Sequence, residues 1–168
     1  MKKAVLIGLL ILGIFLVSGC AKNTGILVMQ ITDQPKLNIE KALVTVSNVE
    51  VHLAGVDNAT EAGWFTVVSE AKTFDLVAIK DIKEFLGSAE LTAGKYTQIR
   101  LNVNKAIVTI DGIEYDLEVP SEKIKLIKPF DIEVNKTTIL TLDFDAQKSI
   151  HAAGDKYIMK PTITVMQE

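Results

Sequence analysis

The chain has 168 residues, with 18 lysines and arginines against 21 aspartates and glutamates, so its net charge is −3 at pH 7. This acidic balance argues against nucleic acid or an anionic lipid surface as the main partner, because both repel negative charge. The single cysteine excludes an internal disulfide. The length suits one domain with a substantial core.

The N-terminus has the composition of a signal peptide. Lys2 and Lys3 precede an uncharged apolar run at residues 4–17. As a helix, this run of 14 residues reaches only about 21 Å at ~1.5 Å per residue, short of the ~30 Å hydrocarbon core. We therefore interpret it as the apolar part of a signal peptide rather than as a permanent membrane span.

The four residues Val17-Ser18-Gly19-Cys20 resemble a lipobox, the cleavage and acylation signal of prokaryotic lipoproteins. Ser18 and Gly19 are small enough for a peptidase to approach the backbone, and Cys20 supplies a thiol for a thioether-linked lipid. An uncleaved N-terminal anchor with an incidental cysteine is the alternative. The lipobox interpretation predicts a protein anchored in a membrane through Cys20, on the extracytoplasmic face.

The expected organisation has three parts: a signal peptide at residues 1–19, a lipidated cysteine and tether at residues 20–24, and one domain at residues 25–168. Removal of residues 1–19 takes away two lysines and leaves 149 residues, with 16 basic and 21 acidic side chains and a net charge of −5. The four residues after Cys20 reach at most ~14 Å, so the domain should lie close to the lipid surface. No later run approaches ~18 uncharged apolar residues, and no second membrane segment is expected.

Apolar and polar residues alternate over most of the chain, which is typical of half-buried β-strands. In the second such run the apolar phase changes between Val46 and Val49. A slip of one residue would turn the buried side chains outward, so we expect a β-bulge near Ser47-Asn48.

Residues 75–86 break the alternation. Apolar residues recur there at three- to four-residue spacing, Asp75 can cap the start of a helix, and Gly87 can end it with a positive φ. The sequence therefore predicts one short helix at residues 75–86.

Two further signals concern turns and edges. Asp111-Gly112 between two alternating runs predicts a hairpin with a type I′ turn. Pro161 lies inside the last run, at residues 157–165, and cannot donate a hydrogen bond to a neighbouring strand, which indicates an edge or a bulge.

Roughly nine or ten short strands with one helix favour a mainly β fold, a two-layer antiparallel β-sandwich behind an N-terminal signal peptide. A parallel α/β sheet would need repeated crossover helices. Residues 91–96 (LTAGKY) resemble the element of turn followed by strand in transthyretin-like and collagen-adhesin B-type sandwich domains.

A closer resemblance covers nearly all of residues 25–165. It rests on residues 32–35 (TDQP), 49–52 (VEVH), 74–76 (FDL), 91–101, 142–145 (LDFD) and 156–161 (KYIMKP). Together these segments resemble the family called domain of unknown function 4382, whose members are typically secreted or lipid-anchored proteins of bacteria and archaea. Gln34 stands where the family has alanine, a change confined to a turn. The family has no established activity, so the resemblance implies no functional residue.

Several aspartates are candidates for chemistry. Asp143 and Asp145 lie two residues apart on a predicted strand, so both project from one face. With Asp33 or Asp131 nearby they could bind a hard cation such as calcium, or serve the acid–base chemistry of a hydrolase. The sequence has no Asp- and Asn-rich loop with glycine, so we interpret these positions as a solvated strand face and expect no metal ion or other cofactor.

The two histidines, His52 and His151, have no partners at the spacing of metal ligands and no neighbouring nucleophile, so we expect both at the surface. A catalytic role for Cys20 is not expected, because it precedes the folded domain.

Trp64 and Tyr115 are candidates for stacking on a sugar or for a protein contact, although a Trp at that position also fits the rim of a core. Asn58-Ala59-Thr60 and Asn135-Lys136-Thr137 match the acceptor pattern for N-glycosylation.

Two classes of function remain. The first is a non-enzymatic module of the cell envelope that binds a protein, a glycan or an ion, or serves as a structural component. The second is an accessory hydrolase at the cell surface that uses Asp33, Asp143 and Asp145. The anchor, the sandwich and the lack of a catalytic set favour the first.

Overall fold

The computed structural model describes residues 22–33, 39–56, 62–121 and 123–168. The predicted signal peptide and Cys20 lie outside these residues, as do Gln34 and Asn58. The described residues form β1 (Thr24–Asp33), β2 (Ile39–Leu53), β3 (Trp64–Val68), β4 (Lys72–Asp75), β5 (Glu84–Thr92), β6 (Gly94–Ile110), β7 (Ile113–Glu118), β8 (Lys123–Ile132), β9 (Thr137–Phe144), α1 (Ala146–Ser149), β10 (Ile150–Ala153), β11 (Lys156–Met159) and β12 (Ile163–Gln167). No helix in this part of the chain is long and apolar enough to span a membrane.

The strands form two sheets. The smaller sheet has the order β12-β9-β1-β5. The larger sheet is built on the long strands β2 and β6: β3 and β4 pair with the two halves of β2, β8 and β7 pair with the two halves of β6, and β11 and β10 extend the sheet beyond β7. A mainly β, two-layer architecture with one short helix is thereby confirmed.

Pairing is antiparallel except at two places, where β1 pairs with β9 and β7 pairs with β11 in parallel. Parallel neighbours require a long connection, because a tight turn cannot join them. Between β1 and β9 the chain runs through most of the larger sheet, which provides that connection.

The core lies between the sheets and consists of the alternate side chains of each strand. The smaller sheet contributes Leu27, Met29, Ile31, Leu140, Leu142 and Phe144, and the larger sheet contributes Val44, Val46, Val49, Val51, Ile99, Leu101 and Val103. Tyr96 is also fully buried and stacks on Phe130 with ring centroids 5.4 Å apart. Its hydroxyl donates a hydrogen bond of 3.0 Å to the Thr92 carbonyl, and burial raises the pKa of Tyr96.

The predicted bulge in β2 is confirmed, since the register with β6 shifts between Val46 and Asn48. The β6 register shifts at the same level, where Asn104 is passed over between Val103 and Lys105. The Ser47 hydroxyl donates a hydrogen bond to the Asn104 side chain and so joins the two irregularities. The valines on either side of the bulge consequently face the same core.

The predicted helix at residues 75–86 is wrong. Residues 76–83 form turns and an isolated bridge, and β5 begins at Glu84. The Asp75 carboxylate accepts hydrogen bonds from the Ala42 and Val77 backbone N–H groups, at 3.2 and 3.1 Å, so it holds the turn against β2 instead of capping a helix. Gly87 lies inside β5, where an added Cβ would be 2.6 Å from Val68 Cγ2, so close packing between the sheets explains this glycine.

The helix that does form, α1, is capped at its N-terminus by Asp145, whose carboxylate accepts a hydrogen bond of 2.9 Å from the Lys148 backbone N–H. The predicted turn at Asp111-Gly112 is confirmed, because both residues have the positive φ that a type I′ turn requires (51° and 75°). The predicted last strand is divided in two: Pro161 lies in the link between β11 of the larger sheet and β12 of the smaller one.

Candidate functional site

The structure does not bring the three candidate carboxylates together. Asp33 pairs with Phe144 in the β1–β9 ladder, so its side chain lies on the core side of the smaller sheet. The side chain of Asp143 lies on the opposite side of this sheet. Asp33 is fully buried and accepts a hydrogen bond of 3.0 Å from the Ala146 backbone N–H. Asp145 caps α1 and forms an ion pair of 2.7 Å with Lys148. Asp33 and Asp145 therefore stabilise the turn between β9 and α1 by accepting backbone hydrogen bonds.

Residues 22–33, 39–56, 62–121 and 123–168 contain no group of three or more His, Cys, Asp or Glu side chains that could hold a metal ion.

Asp143 has an unusual environment nonetheless. Partial burial raises its pKa above the usual value, and the nearby Asp145 raises it further, against an opposing effect of Lys148. Asp143 Oδ1 is buried and has no hydrogen-bond partner among the described residues.

The expectation of a surface position is wrong for His52, which is only 2% exposed. Its ring packs against Trp64 with centroids 4.9 Å apart, and an added Cβ at Gly63 would be 3.2 Å from Nε2, so the turn after β2 approaches the ring closely. His52 does lie among the polar residues of β2, but its strand pattern alone does not indicate that Trp64 and the backbone at Gly63 cover its ring. His151 is exposed as expected.

Neither aromatic candidate offers a free ring. Trp64 begins β3 and is half-buried, with the Arg100 guanidinium 4.2 Å from its ring centroid and His52 also against it. Tyr115 is half-buried against Tyr157, with centroids 4.9 Å apart. Trp64 therefore serves as a packing centre for polar residues on the outer side of the larger sheet.

A surface that sequence reasoning missed surrounds Trp64. On the side of β2, β3, β6 and β8 that faces away from the core, cross-strand register places mostly polar side chains in adjacent rows. This surface, the polar face, comprises the polar side chains Asn48, Glu50, His52, Gln98, Arg100, Asn102, Lys105, Lys123 and Lys125, together with Trp64 and Ile127. The only signal in the sequence was the polar phase of each strand, which does not say which strands are neighbours.

One ion pair lies at the centre of the polar face. Glu50 and Arg100 stand opposite each other on β2 and β6, and their side chains are 17% and 14% exposed. The guanidinium contacts the carboxylate through Nε and through Nη2, the latter 3.1 Å from Oε1. This two-point contact, together with the Trp64 ring, fixes the guanidinium plane.

The cations at the β8 side of the polar face are Lys123, Lys125 and Lys105. None of them has an acidic partner within ion-pair distance in the part of the chain that the structure describes. Lysines on an edge strand such as β8 also oppose edge-to-edge association. This region is positively charged, although the mature chain is expected to carry a net charge of −5.

The polar face also collects buried polar atoms that lack partners. Five such atoms belong to it: both ring nitrogens of His52, Nε1 of Trp64, and Oδ1 of Asn48 and Asn102, none of which has a hydrogen-bond partner among the described residues. Asn48 and Asn102 stand directly opposite each other. An unsatisfied buried polar atom costs about 1–3 kcal/mol, so native structures rarely contain such atoms in groups. Their concentration on one surface marks it as the candidate site.

The Asp143 environment predicts a pH-dependent stability. Because its pKa is raised in the folded state, the folded protein retains this proton to higher pH than the unfolded chain does. The destabilisation is complete at neutral pH and disappears as the pH falls below the usual pKa of aspartate. Asp143→Asn should therefore raise the Tm at pH 7 and lose that advantage in acid, as measured by thermal unfolding between pH 3 and 7. The exposed control Asp155→Asn should change the Tm little at either pH, and a gain for Asp143→Asn that is independent of pH would contradict the assignment.

The Glu50–Arg100 contact predicts a difference between two isosteric changes. Glu50→Gln removes the anionic partner of a guanidinium that is mostly buried, and should lower the free energy of unfolding by about 1.5–3 kcal/mol. The matched control is Glu133→Gln, which breaks the exposed pair with Lys136, whose side chains are 62% and 64% exposed, and should cost less than about 1 kcal/mol. Urea unfolding measures both values, and equal losses would show that the central pair has no special role.

Comparison with known proteins adds a family assignment. A family model described as Domain of unknown function (DUF4382) matches residues 24–161, from the start of β1 to the link before β12. No curated protein and no solved structure matches the chain. The match covers the whole polar face and every strand except β12, and it confirms the resemblance found in the sequence. The chain belongs to the DUF4382 family.

Proposed function

We propose that this protein is a lipid-anchored, extracytoplasmic module of the cell envelope that binds a ligand on its polar face and has no enzymatic activity. The anchor is inferred from one observation, the apolar run that ends in Ser18-Gly19-Cys20 behind Lys2 and Lys3. A peptidase that recognises this pattern would leave Cys20 as the first residue of the mature chain.

The start of the domain fits an anchor. The Asn23 carbonyl accepts a hydrogen bond of 2.8 Å from the Ala93 N–H, and the Thr24 carbonyl accepts one of 2.8 Å from the Asn135 N–H. The chain is therefore fixed to the domain from Asn23, which leaves a tether of about 10 Å from Cys20 at ~3.3–3.6 Å per residue. Such a tether would hold the end of the sandwich that carries these contacts at the lipid surface.

The polar face would then stand beside the anchor and extend away from the membrane. β6 begins at Gly94, next to the contact between Ala93 and Asn23, and its outward residues from Gln98 to Lys105 lie progressively farther along the strand. A ligand in the envelope could approach this face without passing between the protein and the bilayer.

A binding role is supported by the composition of the polar face, which combines a fixed ion pair with exposed lysines that have no acidic partner among the described residues. The carboxylates that a hydrolase would use are divided instead: Asp33 is buried on the core side of β9, and Asp143 lies on the opposite side.

The anchor is tested by intact mass. Protein extracted from membranes should begin at Cys20 and carry the mass of a diacylglyceryl group, because the thiol forms a thioether with the lipid. The full-length Cys20→Ala variant has no thiol and should carry no lipid mass. Wild-type protein that retains Met1, or an unmodified Cys20, would refute the proposal.

A further inference from the structure

We propose that the end of the sandwich next to the tether, called the anchor end, contacts the bilayer directly and holds the domain upright, with β2 and β6 directed away from the membrane. The contact rests on the proposed anchor at Cys20 but is a separate property, because a lipid-anchored domain can also turn freely on its tether without touching the membrane. The partner is the headgroup layer of the bilayer that carries the lipid.

Backbone hydrogen bonds join three turns and the start of β1 at the anchor end. The Asn23 and Thr24 carbonyls accept hydrogen bonds from the β5–β6 turn and from the β8–β9 turn, respectively. In the turn after β2, the Ala54 N–H donates a hydrogen bond of 2.7 Å to the carbonyl of Lys95, at the start of β6. The anchor end is therefore a set of connected turns from which the tether leaves.

The tether is too short to hold the anchor end clear of the lipid. A lipid on the Cys20 thiol places this residue at the boundary between the hydrocarbon and the headgroups, and the headgroup layer is about 5–7 Å thick on each side of the bilayer. The three steps from Cys20 to Asn23 span at most about 10 Å, and less when the chain is not fully extended. The anchor end must then lie within the headgroup layer or directly above it.

Exposed apolar side chains project from the anchor end. Val134, which precedes Asn135 in the β8–β9 turn, is 43% exposed, and Val56, in the turn after β2, is 36% exposed. Ile26, the third residue of β1, is 46% exposed, and its N–H donates a hydrogen bond of 2.9 Å to the Lys136 carbonyl, which holds it beside the β8–β9 turn. Contact with the bilayer boundary would remove this apolar surface from water, which is favourable.

The charges at the anchor end do not oppose the contact, because they occur in pairs. Lys22 forms an ion pair of 3.7 Å with Glu90, and Lys136 forms one with Glu133. The side chains of both pairs are half exposed or more, and exposed pairs contribute little to stability, so each lysine can turn to a lipid phosphate at small cost. Since the contact depends mainly on apolar side chains, it should form on zwitterionic lipid and persist at high salt.

The experiment uses the full chain, processed and lipidated in a bacterial host, in phosphatidylcholine vesicles. Cys20 is the single cysteine and its thiol would be blocked by the lipid, so an introduced cysteine is the one thiol that a fluorophore can label. Val134→Cys and Val56→Cys place the label at the anchor end. Ile113→Cys is the matched control: Ile113 is also apolar and 56% exposed, but it follows the hairpin at the far end of β6, a strand of 17 residues and about 50 Å at ~3.3 Å per residue.

Two quenchers locate each label, a nitroxide on the lipid headgroup and iodide in the water. The nitroxide should remove most of the emission of Val134→Cys and Val56→Cys and little of that of Ile113→Cys, at low and at high salt, and iodide should show the reverse order. Thermal unfolding checks that the variants fold.

Several outcomes would overturn the contact. If the protein floats with the vesicles but iodide quenches all three labels equally, the anchor stands and the domain does not touch the bilayer. Nitroxide quenching of all three labels would mean that the domain lies flat, and loss of nitroxide quenching at high salt would show an electrostatic contact instead. Labels at the anchor end that neither quencher reaches would indicate a second copy of the chain as the partner. Protein that does not float with the vesicles would refute the anchor and the contact together.

Discussion

The pairing of β2 with β6 is the constraint on which the rest of the structure depends. These two strands carry every other strand of the larger sheet, directly or through β7. Their inward side chains supply the valines, leucines and isoleucines that face the smaller sheet, and their outward side chains form the centre of the polar face. The paired irregularities at Ser47 and Asn104 keep both sides in phase over the length of the strands. A slip of one residue would place Glu50 and Arg100 in the core and the valines in solvent.

Much of the fold could be predicted from the sequence because period-two alternation is a direct consequence of half-burial. The same reasoning located the bulge in β2, and the backbone requirement of a type I′ turn located the hairpin at Asp111-Gly112. The helix at residues 75–86 failed because spacing alone cannot tell a helix from a turn whose apolar residues also reach the core. Leu76 and Ile79 are indeed buried, but Ile82 and Phe85 are each 55% exposed, and Asp75 bonds to β2.

The candidate site was much less predictable, since it arises from register between strands distant in sequence. Glu50 and Arg100 are fifty residues apart and become partners only when β2 and β6 are aligned. The same alignment brings Asn48 to Asn102, and Asn102 in turn stands opposite Lys123 of β8. The burial of His52 depends on Trp64 and on the approach of Gly63, neither of which its own strand pattern contains. Conversely, two of the carboxylates that the sequence offered as candidates, Asp33 and Asp145, stabilise the turn into α1.

The central claim is that the polar face is the ligand-binding surface of an envelope protein. Amide hydrogen exchange of the full chain, measured with and without an excess of detergent-solubilised cell envelope, tests it most directly by locating the contact. Exchange should slow in the part of β6 around Asn102 and in β8 from Lys123 to Ile127, and should stay unchanged in β1, β5 and β9. Protection confined to the smaller sheet would contradict the account.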